Sequence, residues 1–127
     1  MSKKKPLIVF EGIEGSGKTT LINYVSKFFS KKKIKYIRIR EPGGNKNSEN
    51  IRKLILNNKN NFNSFTDLML YLAARSENID LTIKKNYNKS VILLDRFTDS
   101  TIAYQHYGMG LDKNLINKIN KSLLKNI

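Results

Sequence analysis

Cysteine is absent from the 127 residues, so neither a disulfide nor a thiolate metal site is available to this chain. No run of about 18 apolar residues occurs. The basic start from Met1 to Lys5 lacks the apolar continuation of a cleavable leader. The expectation is a cytoplasmic protein without a membrane segment. Histidine occurs once, at His106, and reads as a surface or boundary residue rather than a catalytic base. Repeats and dividing linkers are also missing, and the length suits one domain with a core rather than two.

Acidic residues are scarce, ten against 24 basic ones, for a formal charge of +14. Such a balance invites a nucleic-acid reading. Against it, 19 of the basic residues are lysine and only five are arginine, in a chain also crowded with asparagine and isoleucine. That combination points to a coding bias toward A and T, which loads any solvated surface with lysine. No RNA-binding aromatic motif or helix-turn-helix signature accompanies the charge, so a solvated basic surface is favoured and no specific nucleic-acid binding is expected. The few carboxylates are more informative. Glu11, Glu14, Glu41, Asp95 and Asp99 all fall in or beside the motifs described next.

The strongest of these motifs follows the apolar run Leu7 to Phe10. Gly12, Ile13, Glu14, Gly15, Ser16, Gly17, Lys18 and Thr19, with Thr20 behind them, fit the phosphate-cradling pattern GxxxxGK[ST]. Phosphate oxygens must be approached by several backbone N–H groups at once, so glycine is needed where a side chain would obstruct them. The helix that follows aims its N-terminal N–H groups and positive dipole end at the same anion. Lys18 adds charge for the outer phosphates and the Thr19 hydroxyl suits Mg²⁺. The alternative, an ordinary strand-to-helix turn, is disfavoured by the strand before and the helix after the motif.

Hydrophobic periodicity places a first strand at Leu7 to Glu11, a second at Lys35 to Arg40 and a third at Ser90 to Asp95. The first helix is expected from Lys18 to about Phe29, with Leu21, Ile22, Val25, Phe28 and Phe29 on one face. A second, capped by Ser48, carries Ile51, Leu54 and Ile55. A long amphipathic helix from Ser64 to about Lys85 is read as capped by Ser64 with Asp67 three residues on. Helix is also expected from Asp99 to about Tyr107 and from Asp112 through Leu124. Strands alternating with helices around a phosphate loop imply an α/β fold, a three-layer P-loop NTPase-type sandwich with a parallel sheet of about three strands.

The third strand, Val91-Ile-Leu-Leu-Asp95, ends on a carboxylate that can reach Mg²⁺ beside the phosphate loop. Arg96 follows it. Arginine is rare here, and its planar guanidinium can grip a phosphate with two parallel hydrogen bonds. From the residues alone, Arg75 reads as a solvated helix residue, and Tyr71 and Tyr104 as ordinary core.

The series FEGIEGSGKTT, REPGG, YLAARSENI, LLDRFTDSTIAYQ and GMGLD, in this order and spacing, resembles bacterial thymidylate kinase over nearly the whole chain. The resemblance implies transfer of the γ-phosphoryl group of ATP, with Mg²⁺, to dTMP, by an enzyme that is a homodimer. It also implies roles. Arg96 would hold the acceptor phosphate and Asp95 would position metal and phosphates, with Thr19 as the second metal contact. Arg75 would hydrogen-bond the thymine edge, and Tyr71 would stack on the base where the family usually has Phe. Ser100, Thr101, Tyr104 and Gln105 would line the nucleoside pocket, with Glu14 near the acceptor sugar and metal. Arg40, Glu41 and Pro42 would shape the acceptor floor, and the Tyr71–Leu72 helix lies where the family pairs its subunits.

The 127 residues also stop where the family continues into a fourth strand, an arginine-bearing lid and an adenine-side loop with a fifth strand. Some members place a catalytic arginine in the phosphate loop instead, where this chain has Gly15 and Ser16. The resulting expectation is an N-terminal portion with exposed sheet edges and with its own catalytic activity in question. Two alternatives stay open: another nucleoside monophosphate kinase, and a non-catalytic nucleotide-binding remnant.

Overall fold

A computed structural model describes residues 4–125 and 127. Three parallel strands, β1 (Leu7–Phe10), β2 (Tyr36–Arg40) and β3 (Val91–Asp95), form a sheet in the order β1-β3-β2. The last strand in sequence is thus the central one. It pairs Phe10 with Asp95 on one side and Arg40 with Asp95 on the other, so all three strands end at one level. Val91, Ile92, Leu93 and Leu94 are all buried, as expected of a strand covered on both faces and both edges.

Alternation along β3 divides the core into two layers. Val91 and Leu93 pack with Phe10 and Ile22 under helix α1 (Lys18–Lys31). Ile92 and Leu94 face the other way, against Ile39, Ile79, Ile83 and Phe97. Ile79 and Ile83 belong to a π-helical stretch, Ile79–Ile83, that prolongs helix α3 (Ser64–Asn78) into the short α4 (Lys84–Asn86). Each fully buried aliphatic side chain contributes about 1.5–3 kcal/mol. Helix α2 (Lys46–Leu56) packs on α3. After β3 come α5 (Thr98–Thr101), which runs into a π-helical stretch Ile102–Gly108, and α6 (Lys113–Leu123). Ile116 of α6 closes a third cluster with Leu68 and Leu72 of α3.

The expected strands and helices are present, and the differences are local. Helix α2 is capped by Asn45, whose side chain accepts from Ser48 N at 3.0 Å, and α3 by Asn63, which accepts from Thr66 N at 2.8 Å. Ser48 and Ser64 are therefore not the caps. Ser48 is fully buried, donating its hydroxyl to Ala74 O at 2.8 Å. On α1 the covered face centres on Ile22 and Ser26, leaving Leu21 and Phe28 52% and 47% exposed. Val9 of the edge strand β1 is also exposed. No helix among the described residues is long and apolar enough to cross a membrane.

Candidate active site

Three loops leave the same end of the sheet, where ligands bind in open parallel sheets. The first is the glycine-rich loop after β1. Gly12, Gly15 and Gly17 have φ of 154°, 77° and 85°, conformations that cost other residues strain. At Gly12 a Cβ would also come within 2.6 Å of Ser16 Oγ. Helix α1 starts at Lys18, with Gly17 at the cap position offering no side chain and no acid in the first turn. Its N-terminal N–H groups are thus left to an anion, whereas Asn45, Asn63 and Asp112 occupy that role at α2, α3 and α6.

Ile13, Glu14, Gly15, Gly17, Lys18, Thr19 and Thr20 line a cavity of about 590 Å³, together with Asp95 and Arg96. The Lys18 ammonium pairs with the Asp95 carboxylate inside it. Gly12 and Ser16 are not among its walls, and Ser16 instead lines a smaller cavity beside β1.

The second loop, after β3, is held in an unusual conformation. Arg96 has φ 69°, which costs a non-glycine residue about 1–3 kcal/mol. Two hydrogen bonds hold it there: Arg96 N donates to Phe10 O at 2.9 Å and Phe97 N donates to Glu11 Oε1 at 2.8 Å. Glu11 also accepts from the Ser100 hydroxyl, so this carboxylate ties the end of β1 to the start of α5. The Arg96 side chain donates to Tyr104 OH at 2.9 Å, and that hydrogen bond raises its already high pKa further.

The third loop, Glu41 to Gly44, is gripped by α3 from below. Asn78, fully buried, donates to Gly43 O and accepts from Asn45 Nδ2 at 2.9 Å and Ser48 Oγ at 3.1 Å. One turn earlier on the same helical face, Arg75 forks onto Glu41, with Nε to Oε2 at 2.9 Å and Nη2 to Oε2 at 2.7 Å. Arg75 is 2% exposed and Glu41 7%, which overturns the reading of Arg75 as a solvated helix residue. Arg75 Nη2 also donates to Thr101 Oγ1 at 2.7 Å and Nη1 to Asn120 Oδ1 at 2.6 Å, and the guanidinium lies over the Phe97 ring. Burial raises the Glu41 pKa above its ordinary value, opposed by the Arg75 charge.

Between these loops lies a second cavity, of about 240 Å³. Glu41, Pro42, Tyr71, Arg75, Arg96, Ser100, Thr101, Tyr104 and Gln105, distant in sequence, all line it. Tyr71 is half-buried, with its phenol pKa raised chiefly by burial, and Tyr104 is 43% exposed, so neither is ordinary core. Glu14, Glu41, Arg52 and Arg96 line both cavities and mark their junction. Arg40 lines only the larger one. His106 lines neither; its Nδ1 lies 2.6 Å from Leu111 O.

Arg52, Leu56, Phe97 and Asn120 were not identified from the sequence. Arg52 donates to Pro42 O at 2.9 Å. Its signal was available, since it is one of only five arginines in a lysine-rich chain. Asn120 is a polar residue within the apolar stripe of α6, and a buried amide needs a partner.

A family model described as thymidylate kinase matches residues 10–126. A thymidylate kinase of Acholeplasma laidlawii is 44% identical over 119 residues, covering 93% of this chain and 59% of that protein. One of Prosthecochloris aestuarii is 43% identical over 115 residues, covering 90% and 52%. The chain thus spans between half and three-fifths of the length of these relatives. The crystal structure of a thymidylate kinase from Ehrlichia chaffeensis superposes with a TM-score of 0.82 at 38% identity, covering 95% of this chain and 67% of that one. Such a match along nearly the whole chain, in both sequence and fold, establishes that it belongs to the thymidylate kinase family.

Proposed function

We propose that this chain carries the phosphate loop and acceptor pocket of a kinase that transfers the γ-phosphoryl group of ATP to dTMP. One observation carries the reading: a glycine-lined anion cavity and a separate nucleoside-sized cavity meet at Glu14, Glu41, Arg52 and Arg96. In that reaction an oxygen of the dTMP phosphate attacks the γ-phosphorus, the bond to the β,γ-bridging oxygen breaks, and ADP leaves. The attacking oxygen is already anionic, so no histidine base is needed. Catalysis of this kind consists mainly of positioning and neutralising charge.

Lys18 and the α1 N-terminus hold the donor phosphates, and Arg96, positioned by its hydrogen bond to Tyr104, holds the acceptor phosphate at the junction. Tyr71 offers a ring for the base. Among the described residues no group of three His, Asp or Glu side chains forms a metal cage. The Thr19 hydroxyl and Asp95 carboxylate, both on the phosphate cavity, instead suit a Mg²⁺ completed by water and substrate phosphates. When bound, Mg²⁺ would neutralise charge on the transferring phosphates. The same reading includes pairing of two copies through the Tyr71–Leu72 helix.

Isothermal titration tests the acceptor. dTMP is expected to bind at least about tenfold more tightly than dCMP or dGMP, since a base edge that mismatches a placed hydrogen-bond donor costs 1–3 kcal/mol or so. Equal affinity for the three would overturn the reading.

A further inference from the structure

Asn120 has no place in the phosphoryl-transfer reading, yet it is buried with its amide oxygen on the guanidinium of Arg75. Helix α6 delivers it there. The Asp112 cap starts the helix, Ile116 anchors it against Leu68 and Leu72, and Asn120 follows one turn later on the same face. An apolar residue would be the ordinary choice at such a position.

The consequence comes from counting donors. A guanidinium has five N–H groups. In Arg75 Nε is taken by Glu41, Nη2 by Glu41 and Thr101, and one N–H of Nη1 by Asn120. Four are engaged, and one N–H of Nη1 has no partner among the described residues. Glu41 and Thr101 hold the planar guanidinium from the Nε and Nη2 side, and Asn120 is the partner that occupies Nη1.

We propose that Asn120 is a positioning residue for base selectivity, resting on the acceptor reading above: by holding one N–H of Arg75 Nη1, it leaves a single donor in a fixed place. One donor matches a base with a lone carbonyl acceptor at that point, as thymine offers with O4, and repels a base with an amino group there, as cytosine has at N4. Without Asn120 the Nη1 side gains a second free N–H, the single-donor pattern is lost, and the discrimination weakens.

The test uses the full chain and the variants Asn120→Leu, similar in size without the acceptor, and Asn120→Asp, which keeps an acceptor in the same place. By titration calorimetry, Asn120→Leu is expected to lower the dTMP-to-dCMP affinity ratio about tenfold through weaker dTMP binding. Its dCMP and ATP affinities should stay as in wild type, and Asn120→Asp should restore the dTMP-to-dCMP ratio. A merely structural role would weaken both monophosphates together, and an unchanged ratio in Asn120→Leu, or the same loss in Asn120→Asp, overturns the proposal. A ligand-free measurement separates this from failure of the acceptor reading. In ¹⁵N NMR the two Nη1 protons of Arg75 should be distinct in wild type and averaged in Asn120→Leu. Averaged protons in wild type would overturn the role of Asn120 whatever the nucleotide preference, whereas distinct protons without dTMP preference would sink only the acceptor reading.

Discussion

The two cavities are built on opposite plans. On the acceptor side polar groups are buried and held before any ligand arrives: Arg75 by Glu41, Thr101 and Asn120, with one Nη1 N–H left open among the described residues, and Asn78 by Gly43, Asn45 and Ser48. The phosphate loop is solvent-facing, its helix uncapped, and among the described residues Lys18 has one charged partner, Asp95. The contrast follows from what each must recognise. A base is told from other bases by hydrogen bonds at fixed points, which requires rigid walls that hold a few unpaired donors or acceptors in place. A phosphate is gripped by many backbone N–H groups and by charge, so the loop must leave those groups unpaired. On the proposed function, stability and selectivity reside on the acceptor side, and anion capture on the other.

Breaking the acceptor side should have the largest effect on folding. Glu41→Ala leaves Arg75 buried without its counter-charge and is expected to cost about 3–5 kcal/mol in urea unfolding. A loss below about 1 kcal/mol would show that the pair is not buried in solution as described.

A smaller effect sharpens the same comparison through pH. Because burial raises the Glu41 pKa above its ordinary 4.5, the folded chain binds this proton more tightly than the unfolded chain does. Its contribution to stability is therefore complete below pH 4.5 and is lost as pH rises through the raised value. Glu41→Gln, which cannot titrate, should remove this part of the stability–pH profile measured by urea unfolding, and an identical profile in both proteins would contradict the assignment.

The glycine-rich loop and the helix behind it were legible in the sequence, because the motif sets glycines and a lysine at fixed spacings within one continuous stretch. The order of strands and helices was legible for a similar reason, since hydrophobic period is local. The caps were misplaced by one to three residues, because Asn45 and Ser48, or Asn63 and Ser64, are both acceptable capping types and only geometry separates them. The acceptor cavity is assembled from α2, α3, α5 with the π-helical stretch behind it, and the loops after β2 and β3, so no spacing announces it, and its residues were assigned through family resemblance. The Arg75–Asn120 bond joins residues 45 apart and left only an amide in an apolar stripe as its trace.

The division of labour itself is tested by titrating dTMP and ATP separately into Lys18→Ala and Arg75→Lys. Arg75→Lys keeps a charge for Glu41 but loses the fork. The expected result is a crossed pattern: Lys18→Ala binds dTMP as wild type does and loses ATP, while Arg75→Lys loses dTMP by about tenfold or more and keeps ATP. Loss of both ligands in either variant would contradict two independently built cavities.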